Sequence, residues 1–143
     1  MKIVIGADHR GYAYKEAIKN QLTTIEWLDV GAFSNERSDY PLFAHSASKE
    51  VAAGVAQAGV LLCGSGVGMS IVANRYRDVY AALVWNTKIA QQSKEHDNAN
   101  MLIIPTDYVT QEEAVAMINV WLGATFLGGR YAKRCLMIDS LLE

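Results

Sequence analysis

The residues best suited to chemistry in this sequence are a thiol and a glycine cluster, Cys63-Gly64-Ser65-Gly66-Val67-Gly68, where an apolar run gives way to a helix-like one. Alternate glycines let the backbone turn sharply and aim several N–H groups into one concavity, a cradle for an anion. A thiol beside such a cradle and a helix N-terminus is expected to ionise below its reference value of about 8.5, which suits Cys63 to act as a base or nucleophile near neutral pH. Three better-known uses of a glycine turn fail on spacing. A dinucleotide fingerprint needs a glycine where Met69 stands, and it follows the first strand rather than the third. A P-loop needs Gly-Lys-Ser/Thr, which is absent, and a cysteine phosphatase loop needs an arginine at Met69. A buried cysteine packed ahead of a tight turn has the same local pattern.

Asp8 and His9 follow Ile3-Val4-Ile5-Gly6 and sit where two polar side chains would reach the mouth of a crevice. The plainer role of Asp8 is to cap the next helix. His96 lies in Ser93-Lys94-Glu95-His96-Asp97-Asn98-Ala99-Asn100, near the end of an expected helix, where the dipole alone favours a histidine. Arg37-Ser38-Asp39-Tyr40-Pro41 reads as a turn first, with Tyr40 a candidate substrate contact. After Gly128-Gly129 come Arg130, Lys133 and Arg134 at i, i+3 and i+4, on one face of a first helical turn. Cations there oppose the helix dipole at about 0.3–1 kcal/mol each, and a bound anion reverses the sign. A solvated basic face is the alternative, but a phosphate clamp explains the placement better.

These residues need a scaffold, and the apolar pattern supplies one. Strand-length runs recur at Ile3–Ile5, Ile25–Val30, Val60–Leu62, Val79–Val84 and Met101–Ile104, the pattern of buried parallel strands. Between them helical spacing covers Tyr12–Leu22, Leu42–Ala56, Val67–Ala73, Thr87–Glu95 and Gln111–Leu122, and a last helix is expected from Arg130 to Leu142. The alternation predicts a doubly wound α/β fold: a Rossmann-like five-stranded parallel sheet with helices on both faces and a C-terminal helix. Its ligand crevice would lie beyond the carboxyl ends of the strands. The chain has 143 residues, 51% apolar and 20% charged with two prolines, which suits one compact domain over 1–143 and excludes disorder. Thirteen basic and 15 acidic side chains leave a net charge of −2, so no bulk attraction to nucleic acid or an anionic membrane is expected. Val51–Asn74 carries no charge and is long enough to span a bilayer, but its glycines and polar residues fit a helix end, a strand, a turn and a second helix. Cys63 and Cys135 are the two cysteines, far apart and outside any Cys/His cluster, so neither a disulfide framework nor a structural zinc site is expected. With Met1-Lys2 running straight into Ile3-Val4-Ile5, no export leader is read, and a reducing cytoplasm is the expected location.

Taken together, Gly6-Ala7-Asp8-His9 with Gly11, Glu36 to Pro41, Cys63 to Gly68, His96 to Asn100 and Gly128-Gly129-Arg130 resemble, in order and spacing, the ribose-5-phosphate isomerases of the B type. The resemblance implies a metal-free, cofactor-free enzyme that interconverts D-ribose 5-phosphate and D-ribulose 5-phosphate in the pentose phosphate pathway. It also implies a homodimer or dimer of dimers, with the active site at the subunit interface. By matching positions, Cys63 would move a proton between C2 and C1 through a cis-enediolate. Ser65 and the amides of Gly64, Gly66, Val67 and Gly68 would stabilise the oxyanion. Asp8 and His96 would open the furanose ring, with His96 and Asn100 coming from the partner subunit. Tyr40 would line the sugar site, and His9, Arg130 and Arg134 would hold the phosphate.

Three departures from the family pattern stand out. The stretch often written His-Asn-Asp-x-Asn is here His96-Asp97-Asn98-Ala99-Asn100; many members carry a phosphate-binding arginine near Asp107; and a histidine is common where Tyr131 stands. The competing readings are a hexose 6-phosphate isomerase acting on allose or galactose phosphates, a sugar-phosphate-binding module that has lost catalysis, and nucleotide binding at the glycine turn.

Overall fold

A computed structural model describes residues 1–141. Its elements alternate along the chain as β1 (Lys2–Ala7), α1 (Tyr12–Gln21), β2 (Glu26–Asp29), α2 (Tyr40–Ala52), β3 (Ala58–Cys63), α3 (Val67–Ala73), β4 (Ala81–Leu83), α4 (Thr87–Asp97), β5 (Met101–Pro105), α5 (Gln111–Gly123) and α6 (Arg130–Ser140). The strands form one sheet in the order β2-β1-β3-β5-β4, every pair parallel. This is the doubly wound arrangement that the apolar runs predict. The far end of the expected last helix, Leu142, lies outside the described residues. Val51–Asn74 is divided among the end of α2, β3 and α3, and among the described residues no helix is long and apolar enough to cross a membrane.

Strand side chains alternate between two cores. Ile3, Ile5, Val60, Leu62, Leu102 and Ile104 pack under α1, α4 and α5, against Ile18, Ala90, Met117 and Trp121. Val4, Leu61, Cys63, Met101 and Ile103 face the other way, under α2 and α3, against Ala47, Val51 and Met69. Burial on both faces explains why the strands read as continuous apolar runs. The alternation also decides where Cys63 points: as the last residue of β3 it turns toward the α2/α3 layer.

Most boundaries shift by one or two residues from the sequence expectation, and both ends of α2 have a clear physical cause. Helix α2 begins at Tyr40, with Pro41 in its first turn, so what reads as turn chemistry is a helix start in which the missing proline N–H costs nothing. The same helix stops at Ala52 rather than running to Ala56, because the chain turns at Gly54 with φ of +74°.

Chain direction sets where a ligand fits. From β1 the chain passes to β2 on one side, whereas from β3 it passes toward β4 and β5 on the other. The crevice of an open parallel sheet lies at that reversal, outside the carboxyl ends of β1 and β3. Residues 30–39, which border it, are anchored by a buried charge network. Lys15 of α1 is fully buried, its Nζ 2.6 Å from Asp29 Oδ2 and 5.4 Å from the ring centres of Tyr12 and Phe33. Lys19 Nζ reaches the same oxygen at 2.7 Å, and Asp29 Oδ1 accepts the Gly31 N–H at 2.9 Å. Burial pushes the Asp29 carboxyl up, but the Lys15 and Lys19 ammonium groups and the Gly31 amide outweigh it and hold it below the ordinary carboxylate value of 3.8.

Removing Asp29 leaves the buried Lys15 ammonium with the half-exposed Glu16 carboxylate at 3.7 Å, so Asp29→Ala is expected to lose about 3 kcal/mol in urea unfolding. Lys15→Met leaves Asp29 with Lys19 and is expected to lose less. Because the folded-state carboxyl is depressed, the Asp29 contribution is present above pH 3.8 and fades as pH falls through the lower folded value. Equal losses in the two variants would show that the charge pairing is not what secures this end of the sheet.

Candidate active site

The carboxyl edge gathers the first group of side chains. Asp8 leaves β1 with its N–H donating to the Leu62 carbonyl at 3.3 Å, which ties it to β3. Its Oδ1 accepts the N–H groups of Arg10 at 2.9 Å and Gly11 at 3.1 Å. Asp8 therefore closes a turn two residues long instead of capping α1, whose N-cap is Gly11. His9 is held by the loop before α2: its N–H donates to Ser38 Oγ at 3.1 Å, and its Nδ1 lies 3.2 Å from both the N–H and the carbonyl of Ser38.

Cys63 is a free thiol, 5% exposed, whose Sγ accepts the Gly66 N–H at 3.2 Å. Ser65 Oγ accepts the Val67 N–H at 3.3 Å. The glycine turn thus folds back on its own cysteine and serine, as a cradle should. Gly66 caps α3 at φ +76°, a left-handed conformation that a side chain would strain. At Gly68 a Cβ would lie 2.2 Å from Cζ of Tyr40, so the Tyr40 ring is seated directly on the first turn of α3. On its far side Ser65 borders a hollow of about 390 Å³ shared with Leu83, Trp85, Pro105 and Tyr108.

One expectation is overturned here. The Cys63 thiol lies above its ordinary value of 9.0, not below it. Burial pushes it up and the Asp8 carboxylate adds to the push, while the Gly66 amide pulls it down without prevailing. The glycine pattern discloses the amide but not the depth at which the sulfur lies.

A second group sits at the opposite edge. His96 is in the last turn of α4, and Asn100 is the residue before β5, its carbonyl accepting the Gly59 N–H at 2.9 Å. Cys63 comes four residues after Gly59 on β3, so at about 3.3 Å per residue it stands roughly 13 Å further along the sheet. Asn100 is occupied locally, accepting the Tyr80 N–H at 2.9 Å and donating to the Asp78 carbonyl at 2.8 Å. Arg130 and Arg134 belong with His96. The Tyr131 ring stacks on the His96 ring with centres 4.4 Å apart and planes 2° from parallel, and the two guanidinium carbons lie 5.0 and 5.8 Å from the Tyr131 centre. One chain therefore brings together Asp8, His9, Tyr40, Cys63, Ser65 and the backbone of Gly64, Gly66, Val67 and Gly68. It holds His96, Asn100, Arg130 and Arg134 apart from them.

Comparison with known proteins places this arrangement. A family model described as Ribose/Galactose Isomerase matches residues 3–138. The chain belongs to the ribose/galactose isomerase family. Among its relatives, ribose-5-phosphate isomerase B of Escherichia coli (strain K12) is 37% identical over 142 residues, 98% of this chain and 95% of the relative. The solved ribose-5-phosphate isomerase B of Clostridium thermocellum superposes with a TM-score of 0.96 at 38% identity, covering 99% of this chain and 97% of its own. That of Mycoplasma genitalium, solved with bound ribulose-5-phosphate, gives a TM-score of 0.93 at 35% identity, covering 98% and 95%.

Within this family fold, the structure adds two residues to which sequence reasoning gave no part in the site, Arg10 and Ser38. Arg10 lies over Gly64 and is ion-paired with Asp107, and Ser38 carries His9. The available signal for Arg10 was its place directly after Asp8-His9 at a strand end; its partner, 97 residues away in sequence, gave none.

In a Cys135→Ser chain that also lacks the Arg130 and Arg134 guanidinium groups, the alkylation rate of Cys63 by iodoacetamide is expected to rise with pH to a midpoint above 9.0. Asp8→Asn keeps an oxygen for the Arg10 and Gly11 amides but removes the charge, so the midpoint should fall. A midpoint unmoved by Asp8→Asn would remove the carboxylate from the control of this thiol.

Proposed function

We propose that this chain is an aldose–ketose isomerase that interconverts D-ribose 5-phosphate and D-ribulose 5-phosphate. The observation that carries the reading is the position of Cys63 Sγ: a thiol on the Gly66 amide, at the carboxyl edge beside Asp8, in a chain of this family. The reaction is an internal redox step, C2 being oxidised as C1 is reduced, so its balance requires no external oxidant or reductant. Cys63 thiolate removes the proton from C2 of the open-chain aldose, the electron pair shifts into a cis-enediolate, and the same proton returns at C1. A second proton passes from O2 to O1. Ser65 Oγ and the amides of the Gly64–Gly68 turn stabilise the enediolate oxygens.

The remaining roles divide between two copies of the chain. Asp8 acts with His96 of a second subunit to open the furanose ring, and Asn100 arrives with that histidine. Tyr40, on Gly68, lines the sugar site, and His9 meets the phosphate together with Arg130 and Arg134 of the second subunit. Separation of the two groups by the length of the sheet supports this division, as does the apolar surface at Leu136, Met137, Ile138 and Leu141, exposed on and after α6. Such surface is favoured where chains associate. The cations of α6 then approach the Cys63 thiol from outside and offset the effect of burial on its ionisation. A free, unoxidised Cys63 suits a reducing compartment such as the cytoplasm, where this step would serve the pentose phosphate pathway.

Conversion of ribose 5-phosphate by the purified chain, compared by kcat/KM with allose and galactose 6-phosphates, tests the substrate; a larger value for either hexose phosphate would overturn the pentose reading. Cys63→Ala is expected to lose about 10²–10⁴-fold in kcat while still binding the sugar phosphate. The sharing of sites is tested by mixing inactive Cys63→Ala with inactive His96→Ala. Random exchange within dimers restores one intact site in each mixed dimer, about a quarter of wild-type activity. Verified exchange with no recovery would place both residues in one chain's site.

A further inference from the structure

Arg10 is placed with more care than an exposed arginine needs. It follows His9 at the end of β1, yet its guanidinium crosses the mouth of the β3 strand to reach Asp107, after β5. A Cβ built on Gly64 would lie 2.7 Å from Arg10 Cζ, 2.8 Å from its Nη1 and 2.8 Å from Asp107 Oδ2, so the pair lies flat on the glycine next to Cys63. Its far end is anchored by backbone: the Asp107 N–H donates to the Gly64 carbonyl at 3.0 Å, and the Thr106 N–H donates to the Cys63 carbonyl at 2.9 Å. Thr106 Oγ1 donates onward to the Arg10 carbonyl at 3.4 Å, closing the loop.

The side chains of this pair are 54% and 38% exposed, and an ion pair so open to water adds little to stability. Asp107 takes a single Nη2 donor. Arginine has five N–H donors in a rigid fork, which can bridge a carboxylate on one side and a second anion on the other. The exposed side of the fork borders the same edge as His9 and the glycine turn, where a dianion would meet donors from β1 and β3 together.

We propose that Arg10, oriented by Asp107 across Gly64, is a phosphate-binding residue of the site, supplying from the carboxyl edge a guanidinium that position 107 does not. This rests on the reading of the site as one that takes a sugar phosphate. The chemical class recognised is a phosphate monoester dianion, and Asp107 is a positioning residue that does not touch it.

Calorimetry with inorganic phosphate on the full-length protein, alongside ribose 5-phosphate kinetics, tests the assignment. Arg10→Ala is expected to weaken phosphate about tenfold to a hundredfold and to raise KM for ribose 5-phosphate by a similar factor, with kcat within about threefold. Arg10→Lys keeps the charge but loses the fork, and should fall between Arg10→Ala and wild type. Because the side chain is half exposed, the melting temperature should barely move, and if Arg10→Ala is unstable, Arg10→Lys and Arg10→Gln decide. Phosphate affinity and KM within twofold of wild type in the folded variants would overturn the proposal, as would a wild-type chain that binds no phosphate. Arg10-dependent phosphate binding by a chain that fails to convert ribose 5-phosphate would uphold Arg10 and instead remove the isomerase reading.

Discussion

An all-parallel sheet sends every strand to the same edge and brings every helix back to the other, and this polarity governs the molecule. Side chains that follow strands, Asp8, His9, Arg10 and the Cys63–Gly68 turn, collect at the carboxyl edge. Side chains that close helices before the next strand, His96 and Asn100, are delivered to the amino edge. No loop adjustment within a chain overcomes a strand of five or six residues between them. A chemistry that used both sets would have to draw the second from another copy of the chain.

At the carboxyl edge, order is imposed by charge held in place rather than by loops alone. Asp29, pinned by a fully buried Lys15 and by Lys19, fixes Gly31 and with it the start of the segment whose Ser38 grips His9. Asp8 is fixed by two backbone amides, and Arg10 by Asp107. The sulfur of Cys63 differs from these charged groups: the Gly66, Met69 and Ser65 amides act on it, and burial still dominates its ionisation. In one chain burial therefore favours the neutral thiol over the thiolate.

Much of this was legible from residues alone, for identifiable reasons. The three central strands are buried on both faces and carry uninterrupted apolar runs, the edge strands β2 and β4 lie within longer apolar stretches, and Val67–Ala73 was located to the residue because glycine at position 66 announces its start. The glycine spacing likewise disclosed the cradle. What stayed hidden depends on depth or on long-range pairing. The upward displacement of the Cys63 thiol comes from its surroundings, which no local pattern encodes. A capping role for Asp8 stayed open beside a catalytic one because carboxylates that cap and carboxylates that close a turn share one sequence signature, and the position of Gly11 separates them. The pairing of Asp107 with Arg10, at the other end of the chain, has no local signature either.

The start of α6 shows how a locally unfavourable choice can be sustained. Arg130, Lys133 and Arg134 crowd a helix start that has no acidic residue in its first turn and no side-chain cap. Each opposes the dipole, by about 0.3–1 kcal/mol. Tyr131 offsets part of this within the chain: its hydroxyl accepts from Arg130 Nη2 at 3.0 Å, and its ring faces both guanidinium groups while stacking on His96. A histidine at this position would add a further titratable cation to the cluster, whereas a phenol supplies the same flat surface without charge. The ring thus lets two guanidinium groups and an imidazole share one small surface, aimed outward and still short of negative charge. What would complete them electrostatically is an anion.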